Sequence, residues 1–186
     1  MEDTINLRKR FGDLNLEELD VLDLGCGSYS SGIASQILTM KFRSLTSVDG
    51  YEPDIKIAQE KIFDTKNHTW VLADVREFDI EDNKYDVIMS FDVIEHMVKE
   101  DSIKLLDKIE KKAKKKIILF FPNEPEGFFR HWNADDNILQ EHLSRWTDGE
   151  LETRGYKTHR ISGLHTEWDG EKNITFDATW AVKDII

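Results

Sequence analysis

The stretch Val21-Leu22-Asp23-Leu24-Gly25-Cys26-Gly27-Ser28-Tyr29-Ser30-Ser31-Gly32 decides how the rest of the chain is read. A short apolar run, the length of one buried strand, passes directly into glycines, so a strand over Asp20–Leu24 is expected to turn through Gly25 and Gly27 into a helix. Two glycines let backbone approach a ligand closely. The N–H groups of the turn and of the following helix N-terminus would then seat polar or anionic groups. The glycines fall at 25, 27 and 32, and Ser30 stands where a dinucleotide fingerprint places its third glycine, which argues against NAD.

Working outward, similar apolar runs recur at Leu45 to Val48, Trp70 to Ala73, Tyr85 to Ser90 and Lys116 to Phe121. Segments of helical spacing lie between them, and such alternation is the mark of an α/β fold with a largely parallel sheet. Pro53 suits the first turn of a helix reaching to about Asp64, with Ile55, Ala58 and Ile62 on one face. Ile103, Leu106, Ile109 and Ala113 form the equivalent stripe before the fifth strand. Thr147 and Glu150 match a capping box, Gly155 is placed to end the short helix that follows, and Tyr156 to Ile161 and Thr175 to Val182 read as an antiparallel closing pair joined by a loop over Gly163 to Asn173. The expected architecture is a doubly wound, mostly parallel seven-stranded sheet with its last strand antiparallel, in three α/β/α layers.

Composition narrows the classes of function. The chain has 186 residues with 25 Lys plus Arg against 37 Asp plus Glu, a formal net charge of -12. That length suits one domain over 1–186, and the excess of acid disfavours a protein that grips nucleic acid through generic phosphate contacts. A single cysteine, Cys26, excludes an intrachain disulfide and a thiolate zinc site. Neither an apolar run of membrane-spanning length nor a signal-like N-terminus is found, so a cytoplasmic location is expected. The six lysines within Lys108 to Lys116 lie before the fifth strand, at the end opposite to where open α/β sheets bind ligands, and read as a solvated helix end.

Three more elements complete the pattern. Asp49 ends the second strand, where a carboxylate can accept from both hydroxyls of a ribose; Glu52 already supplies the charge a helix N-terminus would want. Asp74-Val75 ends the third strand, where a carboxylate and the next N–H can read an adenine. Ser90-Phe91-Asp92-Val93-Ile94-Glu95-His96-Met97 ends the fourth.

In this order the elements resemble the class I S-adenosylmethionine-dependent methyltransferases, with a Rossmann-like fold. The run Asp49 to Asp54, the Asp92 to Met97 segment, Phe121-Pro122-Asn123 and Gln140-Glu141-His142-Leu143-Ser144-Arg145-Trp146 resemble a subgroup of small stand-alone members. The resemblance implies that S-adenosyl-L-methionine is bound and S-adenosyl-L-homocysteine released. It further implies that Asp23, Gly25 and Gly27 hold the methionine end, with Cys26 between them in the cofactor-binding turn, Asp49 the ribose, and Asp74 with Val75 the adenine, while Phe91 borders the sulfonium. At Gly50 the family usually has an apolar side chain against the adenine; either Tyr51 supplies that surface or the adenine is held less tightly. Cys26 reads as a small packed residue, because direct methyl transfer needs no thiol nucleophile.

Candidate bases for an acceptor are His142 and His96, whose imidazoles can be neutral near pH 7. No metal is expected; the alternative is a set of Asp92, Glu95 and His96 on one helical face, with magnesium as its ion. The aromatic-rich segment from Pro122 to Trp146, with Phe128, Phe129, His131 and Trp132, suits a cover over the acceptor site, together with the loops at 91 to 100 and 163 to 173. The expected activity is methylation of oxygen or nitrogen on a small-molecule acceptor. Two alternatives are a cofactor-binding regulatory module without turnover and a nucleic-acid or protein methyltransferase. The latter is disfavoured because Ser90-Phe91-Asp92-Val93 stands where an Asn-Pro-Pro-Tyr-like motif would be.

Overall fold

The computed structural model describes residues 5–61, 66–125, 137–168 and 172–185. Seven strands form one sheet: β1 (Asp20–Leu24), β2 (Ser44–Asp49), β3 (His68–Leu72), β4 (Val87–Phe91), β5 (Lys116–Asn123), β6 (Lys157–Trp168) and β7 (Asn173–Asp184). Their order is β3-β2-β1-β4-β5-β7-β6. The first five run parallel, and β7 is antiparallel to both β5 and β6. The order reverses between β1 and β4, so the carboxyl ends of those strands flank the crevice where such sheets take ligands.

Helices α1 (Leu7–Phe11), α2 (Glu52–Lys61), α3 (Lys99–Lys112) and α4 (Asp148–Thr153) surround the sheet. Two apolar clusters cover its faces. One gathers Leu22, Leu24, Ile88 and Phe121 with Leu105, Leu106 and Ile109 of α3, and the other gathers Val21, Val87, Met89 and Ile118 with Leu7 and Phe11 of α1. Alternate residues of buried parallel strands feed opposite faces, which is why these strands read as continuous apolar runs.

The structure departs from the sequence pattern in several places. The glycine turn leads not into an α-helix but into a 3-10 turn at Ala34–Thr39. Serine side chains compete for the backbone there: Ala34 N–H donates to Ser31 Oγ at 3.2 Å, Ser35 Oγ to Gly32 O at 3.3 Å, and Tyr29 stands at φ 51°. On α3 the buried stripe is Ser102, Leu105, Leu106 and Ile109, while Ile103 is exposed. On α2, Ile55 and Ala58 are buried as expected, and Ile62 lies outside the described residues.

The connection assigned to 163–173 is mostly strand. Gly163, at φ 64°, sits within a register shift between Ile161 and His165, and its N–H donates to Asp177 Oδ1 at 2.9 Å, so that glycine marks a bulge inside a long hairpin. The capping box is present, with Thr147 and Glu150 bonding reciprocally, and Gly155 turns the chain out of α4 at φ 87°.

Candidate active site

A cavity of about 480 Å³ opens at the carboxyl ends of β1, β2 and β4. Its wall includes Gly25, Cys26, Gly27, Asp49, Gly50, Asp74, Val75, Phe91, Asp92 and His96, so nearly all the residues expected to hold a cofactor converge on one place. Asp23 and Tyr51 stand outside the described lining. Phe128, Phe129, His131 and Trp132 lie outside the described residues, and residues 163–166, which belong to the hairpin, are not part of the described lining.

The glycine turn works by close approach. Gly25 stands at φ 74°, and a Cβ there would come within 2.3 Å of Val93 Cγ2, so only glycine fits against the loop after β4. Three of the turn's N–H groups are engaged within the fold: those of Gly25 and Cys26 donate to Val48 O at 2.8 and 3.1 Å, and that of Gly27 to Asp49 Oδ2 at 2.8 Å. These three bonds make the first part of the turn a floor tied to β2, while Ser28, Tyr29, Ser30 and Ser31 line the cavity beyond it. Asp49 completes that tie by accepting from Tyr51 N–H through Oδ1 at 2.8 Å. Lys61, at the end of α2, donates to Ser28 O at 2.9 Å and holds the far side of the turn, a role with no signal in the sequence beyond its charge.

Asp23 lies under this floor, 1% exposed. Tyr29 Oη donates to its Oδ2 at 2.8 Å, whereas Oδ1 meets no partner among the described residues. Burial, with Asp49 adding like charge, raises its pKa from 3.8 to about 7. Burial and the neighbouring carboxylates also push the Cys26 thiol up, which agrees with a packed, unreactive sulfur. Asp74 is engaged by Arg76, whose Nε lies 2.9 and 3.0 Å from its two oxygens and whose N–H donates to Oδ1 at 2.9 Å; this bonding holds the carboxyl below the usual range. Arg76 lines the cavity as well.

At the other end of the cavity the two expected histidines come together. The His96 and His142 rings meet edge to face at 4.5 Å. His96 lines the cavity, and its Nδ1 lies 3.3 Å from Glu141 O. His142 stands behind it, with Nδ1 2.6 Å from Oε1 of the buried Glu124. A carbonyl or carboxylate oxygen only accepts, so in the neutral rings each Nδ1 carries the proton and each Nε2 is the basic nitrogen. Glu124 is the residue sequence reasoning missed. The only sign of it is an acid directly after the Phe121-Pro122-Asn123 turn.

The metal alternative is redrawn. Asp92 stands at φ 53° ahead of a 3-10 turn at Ile94–His96, so the spacing does not put Asp92, Glu95 and His96 on one helical face. Glu95, His96 and His142 are the groups whose ligand atoms fall within 4.8 Å of one another. Glu95 is 2% exposed, and neither carboxylate oxygen has a partner among the described residues.

A family model described as "Methyltransferase domain" matches residues 22–121, from β1 to β5. The chain belongs to this family, the S-adenosylmethionine-dependent methyltransferases of class I. The ubiquinone biosynthesis O-methyltransferase of Rickettsia bellii is 28% identical over 112 residues, spanning 58% of this chain and 43% of that protein. The chain thus covers less than half the length of the curated relatives it matches. Among solved structures, magnesium protoporphyrin IX methyltransferase from Synechocystis PCC 6803 with bound SAM is similar at TM-score 0.57 and 21% identity, covering 98% of this chain and 77% of that one. Phosphoethanolamine N-methyltransferase 2 of Haemonchus contortus, also with S-adenosylmethionine, is similar at TM-score 0.64 and 17% identity, covering 98% and 52%. The residues fit the family's cofactor: the cavity volume suits one nucleoside-sized ligand, the floor at Gly25 admits no side chain, and Asp49 borders the space.

Proposed function

We propose that the chain methylates an oxygen or nitrogen of a small-molecule acceptor. The observation that carries this reading is the placement of His96 on the wall of the same cavity that Gly25, Gly27 and Asp49 line. Bound S-adenosylmethionine supplies an electrophilic methyl group on sulfonium. In this reading Asp49 accepts from the ribose hydroxyls, Asp74 and Val75 meet the adenine once Asp74 shares or releases Arg76, and Phe91, fixed edge-on to Trp180 at 5.6 Å, borders the sulfur.

The protein's main contribution is to hold the acceptor atom in line with the methyl group. Orientation of this kind lowers barriers by about 7 to 11 kcal/mol, against the roughly 10²- to 10⁴-fold of a general base. His96 takes the proton that the acceptor O–H or N–H loses, at Nε2, while the Glu141 carbonyl holds Nδ1–H. Glu124 and His142 form a buried pair behind the ring and fix its position. The names of the similar proteins, which include a ubiquinone-pathway O-methyltransferase and a phosphoethanolamine N-methyltransferase, favour a small acceptor. Lysines of the basic run are engaged with acids, including Lys112 with Asp82, Lys114 and Lys115 with Asp86, and Lys116 with Asp184, which gives no support to a nucleic-acid substrate.

The test is transfer of labelled methyl from S-adenosylmethionine to a panel of hydroxylated and amine-bearing small molecules. His96→Ala is expected to lower kcat about a hundredfold while S-adenosylhomocysteine binding stays within about threefold. Tight cofactor binding without turnover on any acceptor class would move the reading to a regulatory module.

A further inference from the structure

The cavity is closed on one side by residues 137–143, a segment whose order along the chain says nothing of what it faces. Asn137, Ile138, Leu139, Gln140 and Leu143 all line the cavity. The segment is shaped by a cap at its start and pinned to the loop after β4 at its end. Asn137 is buried and its Oδ1 accepts from Leu139 N–H at 3.0 Å, while Leu143 and Ser144 donate their N–H groups to Glu95 O at 2.7 and 3.0 Å. The capped 3-10 turn at Ile138–Gln140 places Leu139 at the end of β2, beside Gly50.

Leu139 Cδ1 lies 2.9 Å from where a Cβ on Gly50 would be. The next atoms around that point are Ala73 O at 3.8 Å and Asp74 Cα at 4.0 Å. Position 50 therefore sits between Asp49 and Asp74, the two carboxylates at the ends of β2 and β3, and contributes no side chain of its own. The space such a side chain would fill is taken by a methyl group from a distant part of the sequence. Tyr51, the candidate substitute in the sequence, is absent from the described wall.

We propose that Leu139 is the apolar wall of the adenine subsite, supplied by the 137–143 segment in exchange for the missing side chain at Gly50. This rests on the assignment of the nucleoside end to Asp49 and Asp74. A purine between those carboxylates needs an apolar surface along its ring face, because its edges take the hydrogen bonds and its faces take none. Leu139 provides that surface only while the segment is seated on Glu95 O. Cofactor affinity is thereby tied to the same segment that carries His142 toward His96, so the nucleoside seat and the acceptor end are assembled by one piece of chain.

The test is calorimetric titration with S-adenosylhomocysteine and with adenosine. Leu139→Ala is expected to weaken both ligands about tenfold, by the same factor, since the contact is to the base. Gly50→Leu alone, which would collide with Leu139, is expected to weaken them at least as much. The double variant Gly50→Leu/Leu139→Ala is expected to return to within about threefold of the parent, because the apolar group is restored from the other side. Gly50→Ala, which needs only the flexible end of Leu139 to shift, serves if the leucine variant folds poorly, as judged by thermal unfolding. Ile57→Ala, an exposed residue of α2, is the control and should change nothing. Unchanged affinity in Leu139→Ala, or a double variant as weak as the two singles combined, overturns the proposal. Failure of the parent to bind either ligand would instead overturn the nucleoside assignment beneath it.

Discussion

The strand ends around Gly25, Asp49 and Phe91 and the segment around Leu139 and Leu143 face one cavity, yet they are held by different means. The first group is positioned by the ladder: Asp23 pairs with Ser47 and Met89, Leu24 with Val48 and Ser90, so the ends of β1, β2 and β4 arrive at one level. The second is held by Glu124, through His142 and Arg145, and by two carbonyls of the loop after β4. Ile94 O accepts from Ser102 Oγ at 2.7 Å, Ser144 Oγ at 3.1 Å and Trp146 Nε1 at 3.2 Å, and Glu95 O holds Leu143 and Ser144. A parallel sheet converts order in sequence directly into position in space, whereas a pinned segment takes its position from contacts that no local pattern announces.

The largest effect expected from this contrast is at Trp146. It is 4% exposed, and Lys99 Nζ lies 3.4 Å from its ring centroid. Trp146→Ala should cost about 3 to 5 kcal/mol in denaturant unfolding and leave Ile94 O with one donor fewer. Leu143→Ala, half exposed on the same segment, should cost under about 0.5 kcal/mol. Equal losses would mean that the segment is not pinned where described.

The floor of the first region supplies the next effect, through Asp23. The unfolded side chain ionises near 3.8 and the folded one near 7. Between those values the unfolded chain binds fewer protons, so the stability contributed by protonated Asp23 is full below about pH 4 and is lost as pH rises to about 7, an amount of up to about 4 kcal/mol. His68, which burial lowers to about 4, acts in the opposite sense between about 4 and 6.5. Wild type minus Asp23→Asn isolates the Asp23 share: its unfolding free energy should fall steadily from pH 4 to 7 and level off above. A flat difference would mean that Asp23 is ionised in the folded protein.

Gly25→Ala follows, with an expected loss of about 2 to 3 kcal/mol from the overlap with Val93 and the left-handed backbone. Val93→Ala should recover part of that loss if the overlap described here is its source. A smaller effect is expected at Glu124. Replacing it by Ala should lower kcat about tenfold with KM unchanged, and Glu124→Gln, which can still accept from His142 Nδ1–H, should recover most of the rate.

Legibility followed the same division. β1 was readable to the residue, because buried strands of a parallel sheet are unbroken apolar runs. At β4 the strand starts at Val87, later than expected; Asp86 still bonds Asp20 O through its N–H at 2.7 Å, while its carboxylate receives Asp20 N–H at 3.0 Å and pairs with Lys114 and Lys115. At β3 it starts earlier, at His68, since an edge strand tolerates polar residues. The convergence of Gly25, Asp49, Asp74, Phe91 and His96 was legible from their order. The tethering of Asp49 to the turn, the Arg76 hold on Asp74, the Glu124 partner of His142 and the approach of Leu139 to Gly50 were not, since each is a contact between segments whose spacing carries no period.

The most direct measurement of the central claim is titration of the protein with S-adenosylhomocysteine, run in parallel on Asp49→Ala. The wild type should bind one equivalent, and the variant should bind about a hundredfold more weakly through the loss of one or two charge-assisted hydrogen bonds of about 1.5 to 3 kcal/mol each. Absence of binding by the wild type up to about millimolar ligand, or equal affinity in the two proteins, would contradict the account.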